Sequence, residues 1–309
     1  MLLTVCMVLT GLTACADGTG EKDPATQPPE TQALPADLTA SEILCVYFSQ
    51  IAKANPEADT EKLARLLSLH ELFDNVPMNI YTQEWGGEQE VYLLNFPEDF
   101  RLTQCVRETT LMSMEPDSVL SGFIFELKEN EDAGQFCELL KNSVVMPEST
   151  GEVECATAVE GNRVFFLLCP KELKDTLGSN PNRKETVNFL LRELMVRVNR
   201  SESVQNINTT DENSVYYTGI TSTDRIEKEV AVAEPMIGWG FSVVLVKVRD
   251  EKDAQAVAQE MEKGLNPGKW ICVHAESVKV TSCGRYVLGI MAGKDECESI
   301  SEAFLEMLA

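Results

Sequence analysis

Histidine is almost missing from this 309-residue chain, which has two, His70 and His274. That leaves little room for imidazole-based acid–base catalysis or for a His-rich metal site. His70 falls on an apolar helical stripe and is expected to be a core residue; His274 is expected in a strand with no Ser or Cys marked as its partner. Basic residues are scarce as well: 26 Lys and Arg stand against 50 Asp and Glu, a formal net charge of −24. Such a chain repels phosphate backbones, which excludes nucleic acid as a partner, and it does not lie flat on anionic lipid. Ten cysteines are present but no C-x-x-C pair, so neither a zinc site nor a redox dithiol is indicated. A G-x-S-x-G elbow, a phosphate-binding loop and a calcium loop are all missing. The sequence therefore nominates no catalytic residue, no metal ligand and no cofactor.

What is present is repetition. Residues 241–291 read as a strand, a helix and a two-stranded hairpin, and residues 122–169 follow the same plan. Asp132-Ala133 aligns with Asp253-Ala254, and the stripe Ala133, Phe136, Cys137, Leu140 falls on Ala254, Val257, Ala258, Met261. Both are spaced i, i+3, i+4, i+7, which buries one face of each helix. Three-residue hairpin loops are expected at 160–162 and 282–284, with Asn162 and Gly284 at the last position, where φ > 0 is common. That register puts Ala156, Ala158, Val164, Phe166 and Leu168 on one face, with Val278, Val280, Tyr286, Leu288 and Ile290 matching them. It also gives Arg163 and Arg285 a shared slot.

The fold class predicted is α+β: two tandem repeats of a mainly antiparallel sheet packed with helices, in the order strand-strand-helix-strand-strand-helix. Each sheet is expected to have three or four strands. The boundaries are 39–178 for repeat 1 and 183–309 for repeat 2, joined by Gly178–Asn182. Helices are expected over 40–55, over a stripe from Leu63 to Phe73, and over 183–198, while 199–214 reads as polar loop. The first strand of repeat 2 is apolar on both faces and that of repeat 1 alternates, so only the second sheet is expected to be covered on its back.

Residues 1–14 are uncharged and mostly apolar, too short to span a bilayer as a mature helix, and end in Leu12-Thr13-Ala14-Cys15. This ending resembles the lipobox of bacterial lipoproteins. The resemblance implies a signal peptide over 1–14 and lipidation of Cys15; a Lys or Arg ahead of the apolar run, usual in that family, is lacking. Residues 15–38 then hold the lipidated Cys and a linker rich in Pro, Thr, Gly and acid, read as a disordered tether. At about 3 Å per residue it would hold a domain tens of ångströms from a membrane. Localisation follows as the extracytoplasmic face of a bacterial cytoplasmic membrane, with the lipid anchor as membrane partner.

The segment 215–308 also resembles a family of small Gram-positive lipoprotein domains known as domain of unknown function 4358. The resemblance rests on Tyr216-Tyr217-Thr218-Gly219-Ile220, Glu234-Pro235-Met236, residues 246–253 and Gly284-Arg285-Tyr286-Val287. It implies a lipobox and a polar tether and carries no activity or binding residue with it. The function expected is a non-catalytic binding or scaffold lipoprotein engaging an envelope protein or glycan. The alternatives are an extracytoplasmic enzyme and a regulator of an envelope process such as sporulation or wall synthesis.

Overall fold

The computed structural model describes residues 37–309 except 75, 85–92, 94, 116–117, 147–151 and 236–238. The expected signal peptide, the lipobox with Cys15 and nearly all of the expected tether lie outside the described residues.

Two helices come first. Helix α1 (Ala40–Ala54) opens on a capping box between Thr39 and Glu42, and stops at Asn55, which donates to the Ile51 carbonyl ahead of Pro56. Helix α2 (Thr60–Leu67) is capped by Asp59, whose carboxylate accepts from the Lys62 N–H at 2.7 Å. The stripe expected to reach Phe73 breaks at Ser68, and a 3-10 turn over Glu71–Phe73 follows.

Sheet 1 consists of β1 (Met78–Glu84), β2 (Cys105–Ser113), β3 (Ser121–Leu127), β4 (Val153–Glu160) and β5 (Arg163–Pro170), in the order β1-β2-β3-β5-β4. Helix α3 (Ala133–Ser143) connects β3 to β4. A bridge of 3-10 turns leads to α4 (Val187–Arg197) and then to sheet 2. That sheet contains β6 (Val204–Asn208), β7 (Ile226–Ala233), β8 (Ser242–Val248), β9 (Ser277–Cys283) and β10 (Tyr286–Ala292), in the order β6-β7-β8-β10-β9. Helix α5 (Ser214–Thr218) precedes β7, α6 (Ala254–Gly264) connects β8 to β9, and α7 (Lys294–Leu308) comes last.

The fold is thus α+β, with two antiparallel sheets of identical strand order. Each has five strands rather than three or four, because an extra strand, β1 or β6, lies on one edge. Strand β6 sits inside the stretch expected to be polar loop. An edge strand is held by backbone pairing, here Val204 to Ala233 through Asn208 to Glu229, and needs little apolar patterning. His274, expected in a strand, lies in the coil ahead of β9.

Both sheets are covered on both faces, so the expected contrast between them is overturned. In sheet 1, Phe123, Phe125, Val164, Phe166 and Leu168 pack under α3, while Ile124, Leu111, Phe165 and Leu167 pack against α1 and α2. In sheet 2, α6 covers Val244, Val246, Val287 and Met291, and α4 with α7 covers Val243, Leu245, Leu288 and Ile290. Each such side chain, buried completely, contributes about 1.5–3 kcal/mol. The helices also match by place. Helices α2 and α4 lie over the first three strands of their sheets, and α1 and α7 lie over the closing hairpins β4–β5 and β9–β10.

The hairpin register differs from expectation by one position. Glu160 pairs with Arg163 and Cys283 pairs with Tyr286, leaving two-residue loops, Gly161-Asn162 and Gly284-Arg285. Gly161 and Gly284 hold the left-handed backbone, with φ of 61° and 54°. They share a slot, and a one-residue change of register carries every flanking side chain to the other face. Ala156 and Ala158 therefore lie opposite Leu167 and Phe165, not beside Val164 and Phe166. Similarly, Val278 and Val280 pack toward α6, while Tyr286, Leu288 and Ile290 face α4 and α7. Arg285 takes the slot of Asn162, so the shared arginine slot dissolves.

Candidate functional site at the seam between the repeats

The two repeats meet through ion pairs made by residues far apart in sequence. Asp74 accepts from Arg183 Nε and Nη2 at 2.6 Å each, and from Arg192 as well. Arg183 also donates to the Leu69 carbonyl at 2.7 Å, and Arg192 donates to that of Ser68. One half-buried carboxylate thus holds two guanidinium groups that project from the bridge and α4 into the α2 end of repeat 1. Burial pulls Arg192 down to about 10, with Asp74 opposing the shift, so it stays charged at neutral pH. Next to this clamp, Arg65, Arg192 and Arg200 line a small cavity of about 20 Å³, room for roughly one water. The Nε atoms of Arg65 and Arg192 are buried without a protein partner.

On the other side of the same seam opens a cleft of about 290 Å³, at the small end of the ~300–1,000 Å³ usual for ligand sites. Asn79 and Ile80 of the edge strand β1 form one wall; Ser201, Glu202 and Ser203, Glu234 with Pro235, and Trp239 form the rest. Trp239 is 74% exposed. The Ser203 hydroxyl is buried and unpartnered, its residue only 8% exposed. Both carboxylates of the cleft already carry a cation. Arg200 Nε donates to Glu202 at 2.9 Å, and its guanidinium lies 4.0 Å over the Phe241 ring and 3.0 Å from Glu296. Glu234 binds Lys269, which is almost fully buried.

Lys269 braces the loops that present Trp239. Its ammonium lies 4.8 Å from the ring centre of Tyr216, 5.0 Å from Tyr217 and 5.1 Å from Trp270, a cation held among three aromatic faces. It also lies 3.4 Å from Ser242 Oγ at the start of β8. Burial pulls its pKa down, while Glu234 opposes this. The loop after α6 is thereby tied to α5 and to the β7–β8 loop. Gly240 completes the join, because a Cβ there would meet the His274 carbonyl oxygen at 2.5 Å. The end of repeat 2 so formed displays Trp239, Tyr216, Val215 and Ile271, the last 92% exposed.

The other expected residues settle elsewhere. His70 is buried, stacks edge-on against Tyr47 at 4.8 Å, and accepts the Leu72 N–H at 3.3 Å through Nδ1. Burial first, then Arg183, lowers its pKa to about 4, so it is a neutral core histidine. Asp74, four residues on, is spent on the arginines. Asp250 caps the 3-10 turn ahead of α6. Arg163 donates to the Pro56 carbonyl at 2.7 Å, whereas Arg285 pairs with Glu227 at 2.7 Å. The eight described cysteines are all unpaired, and burial drives the thiols of Cys45 and Cys169 up to about 12. None shares a slot with another cysteine: Cys155 corresponds to Val278, Cys169 to Ala292 and Cys283 to Glu160. Among the described residues no cluster of three or more His, Cys, Asp or Glu side chains could hold a metal, and no helix is long and apolar enough to cross a membrane.

Nothing in the sequence pointed to the seam, whose residues come from five separate segments. The one available signal was the pair Trp239 and Ile271, large apolar residues inside Gly- and Pro-containing loops. Searches of the sequence against models of known protein families and against curated proteins find no match.

Proposed function

We propose that this chain is a non-catalytic recognition protein, lipid-anchored at Cys15 on the extracytoplasmic face of a bacterial membrane, that engages an envelope protein or glycan. One observation carries the recognition half: two loops of repeat 2, joined to helix α5 through Lys269, hold Trp239 and Ile271 out into solvent, Trp239 at the inter-repeat cleft. Exposed aromatic and apolar groups on a rigid support cost little entropy to bury, which is the ordinary make-up of a binding surface. The anchor half is supported by Leu12–Cys15 and the polar stretch that follows.

A photo-reactive amino acid at position 239 in living cells tests both halves. The expected outcome is a discrete cross-linked partner, lost on Ile271→Ser together with Tyr216→Ser, and a protein that leaves the membrane fraction on Cys15→Ala. Diffuse cross-linking that these exposed substitutions do not change refutes the recognition surface. Unchanged fatty-acid labelling of the Cys15→Ala protein refutes the anchor.

A further inference from the structure

We infer that the inter-repeat cleft is a subsite for an uncharged glycan, with Trp239 as the stacking platform for one sugar ring. This deepens the recognition reading above and rests on it. Three features of the cleft point to a sugar rather than to a peptide or an anion. Its polar lining consists of groups that both donate and accept or that accept from hydroxyls: the Asn79 carboxamide, the Ser201 and Ser203 hydroxyls and the Glu202 carboxylate. Vicinal sugar hydroxyls need that mixture, since each donates once and accepts twice. The Ser203 hydroxyl is buried with no protein partner, a cost of about 1–3 kcal/mol that a ligand hydroxyl reaching it would relieve.

Charge supplies the second argument. Glu202 is fixed by Arg200 and Glu234 by Lys269, so no lone cation among the lining residues waits for a phosphate or carboxylate. The protein as a whole carries −24, and an anionic polymer is repelled before it reaches the cleft. The third argument is shape. Trp239, at 74% exposure, presents an indole at the mouth of a cleft with room for about one ring. Sugar C–H groups pack on such a face, while hydroxyls at the ring edge remain free for the polar wall. A protein partner anchored here would instead look for a deep apolar pocket, and beside Trp239 the cleft offers only Ile80 and Pro235.

Isothermal titration of the full-length protein, held in a polyoxyethylene detergent free of sugar headgroups, tests the inference. The probes are chitotetraose, cellotetraose and, as the anionic comparison, polyglycerol phosphate. At least one neutral tetrasaccharide is expected to bind with a Kd in the range of about 10 µM to 1 mM, and polyglycerol phosphate not at all. Trp239→Ala, which leaves the core untouched, should weaken binding by about tenfold or more. Asn79→Ala should weaken it by about three- to tenfold. Ser203→Ala removes the orphan hydroxyl, and should reduce affinity while leaving the protein at least as stable as the parent. Absence of binding to both neutral sugars overturns the inference, as does sugar binding that Trp239→Ala does not change, or binding of polyglycerol phosphate alone. If the sugars fail while position 239 still cross-links a protein in cells, the glycan assignment falls and the recognition surface stands. If both experiments fail, both readings fall.

Discussion

Glu108 has no counterpart in the other repeat. It is 0% exposed, on the α3 side of β2; Thr110 donates to one of its oxygens and the other oxygen has no partner. Strand pairing matches Glu108 with Val230 and Thr110 with Val232, both buried in sheet 2. Burial raises the carboxyl from its ordinary 4.5 to about 7, with the Thr110 hydrogen bond opposing the shift. The sign follows from proton uptake: the folded chain holds this proton more tightly than the unfolded chain. Its contribution to stability is therefore complete below about pH 4.5 and is lost progressively as pH rises to about 7, on the order of 3 kcal/mol in total. Replacing the pair by Glu108→Val with Thr110→Val copies repeat 2. Urea unfolding is expected to show the variant more stable at pH 8, by about 1–3 kcal/mol. Its advantage should shrink toward pH 5. An advantage that does not vary with pH means that Glu108 is already charged in the native protein.

Among the elements, the strand–helix–hairpin plan and the helix stripes were legible because periodicity alone specifies them: Phe136, Cys137 and Leu140 are buried, as are Val257 and Met261. The hairpins were legible as hairpins but not in register. Gly161 and Asn162 both tolerate φ > 0, and so the residue types fit a two-residue or a three-residue loop equally well. Choosing the wrong one put the side chains of β4 and β9 on the wrong faces of their sheets. Strand β6 was hidden because an edge strand can be polar, and the seam because Asp74, Arg183 and Arg192 carry no local pattern that joins them. The shared slot of Gly161 and Gly284 makes a paired prediction. A Cβ at either position meets nothing within 4 Å, so only the left-handed backbone is at stake. Gly161→Ala and Gly284→Ala should each cost about 1–2 kcal/mol by denaturant unfolding. A cost at one position only would mean that the turns are not equivalent.

For the whole molecule, the clamp at the seam matters most. Removing the Asp74 carboxylate leaves Arg183 and Arg192 facing each other without an anion, so Asp74→Ala should destabilise the chain by about 3–5 kcal/mol, measured by thermal unfolding. The same variant should loosen the cleft and weaken whatever binds beside Trp239, even though Asp74 does not line it. A loss of stability below about 1 kcal/mol would mean that the arginines find other acceptors and that the repeats are not held there. The closing helices bear on something else. Helix α1 covers the β4–β5 hairpin from upstream in the chain and α7 covers β9–β10 from downstream, and both are 15 residues long. The two sheets thus repeat one strand order, while the helix over the closing hairpin opens repeat 1 and ends repeat 2. During synthesis the β4–β5 hairpin finds its cover already made, whereas β9–β10 waits for residues that follow it.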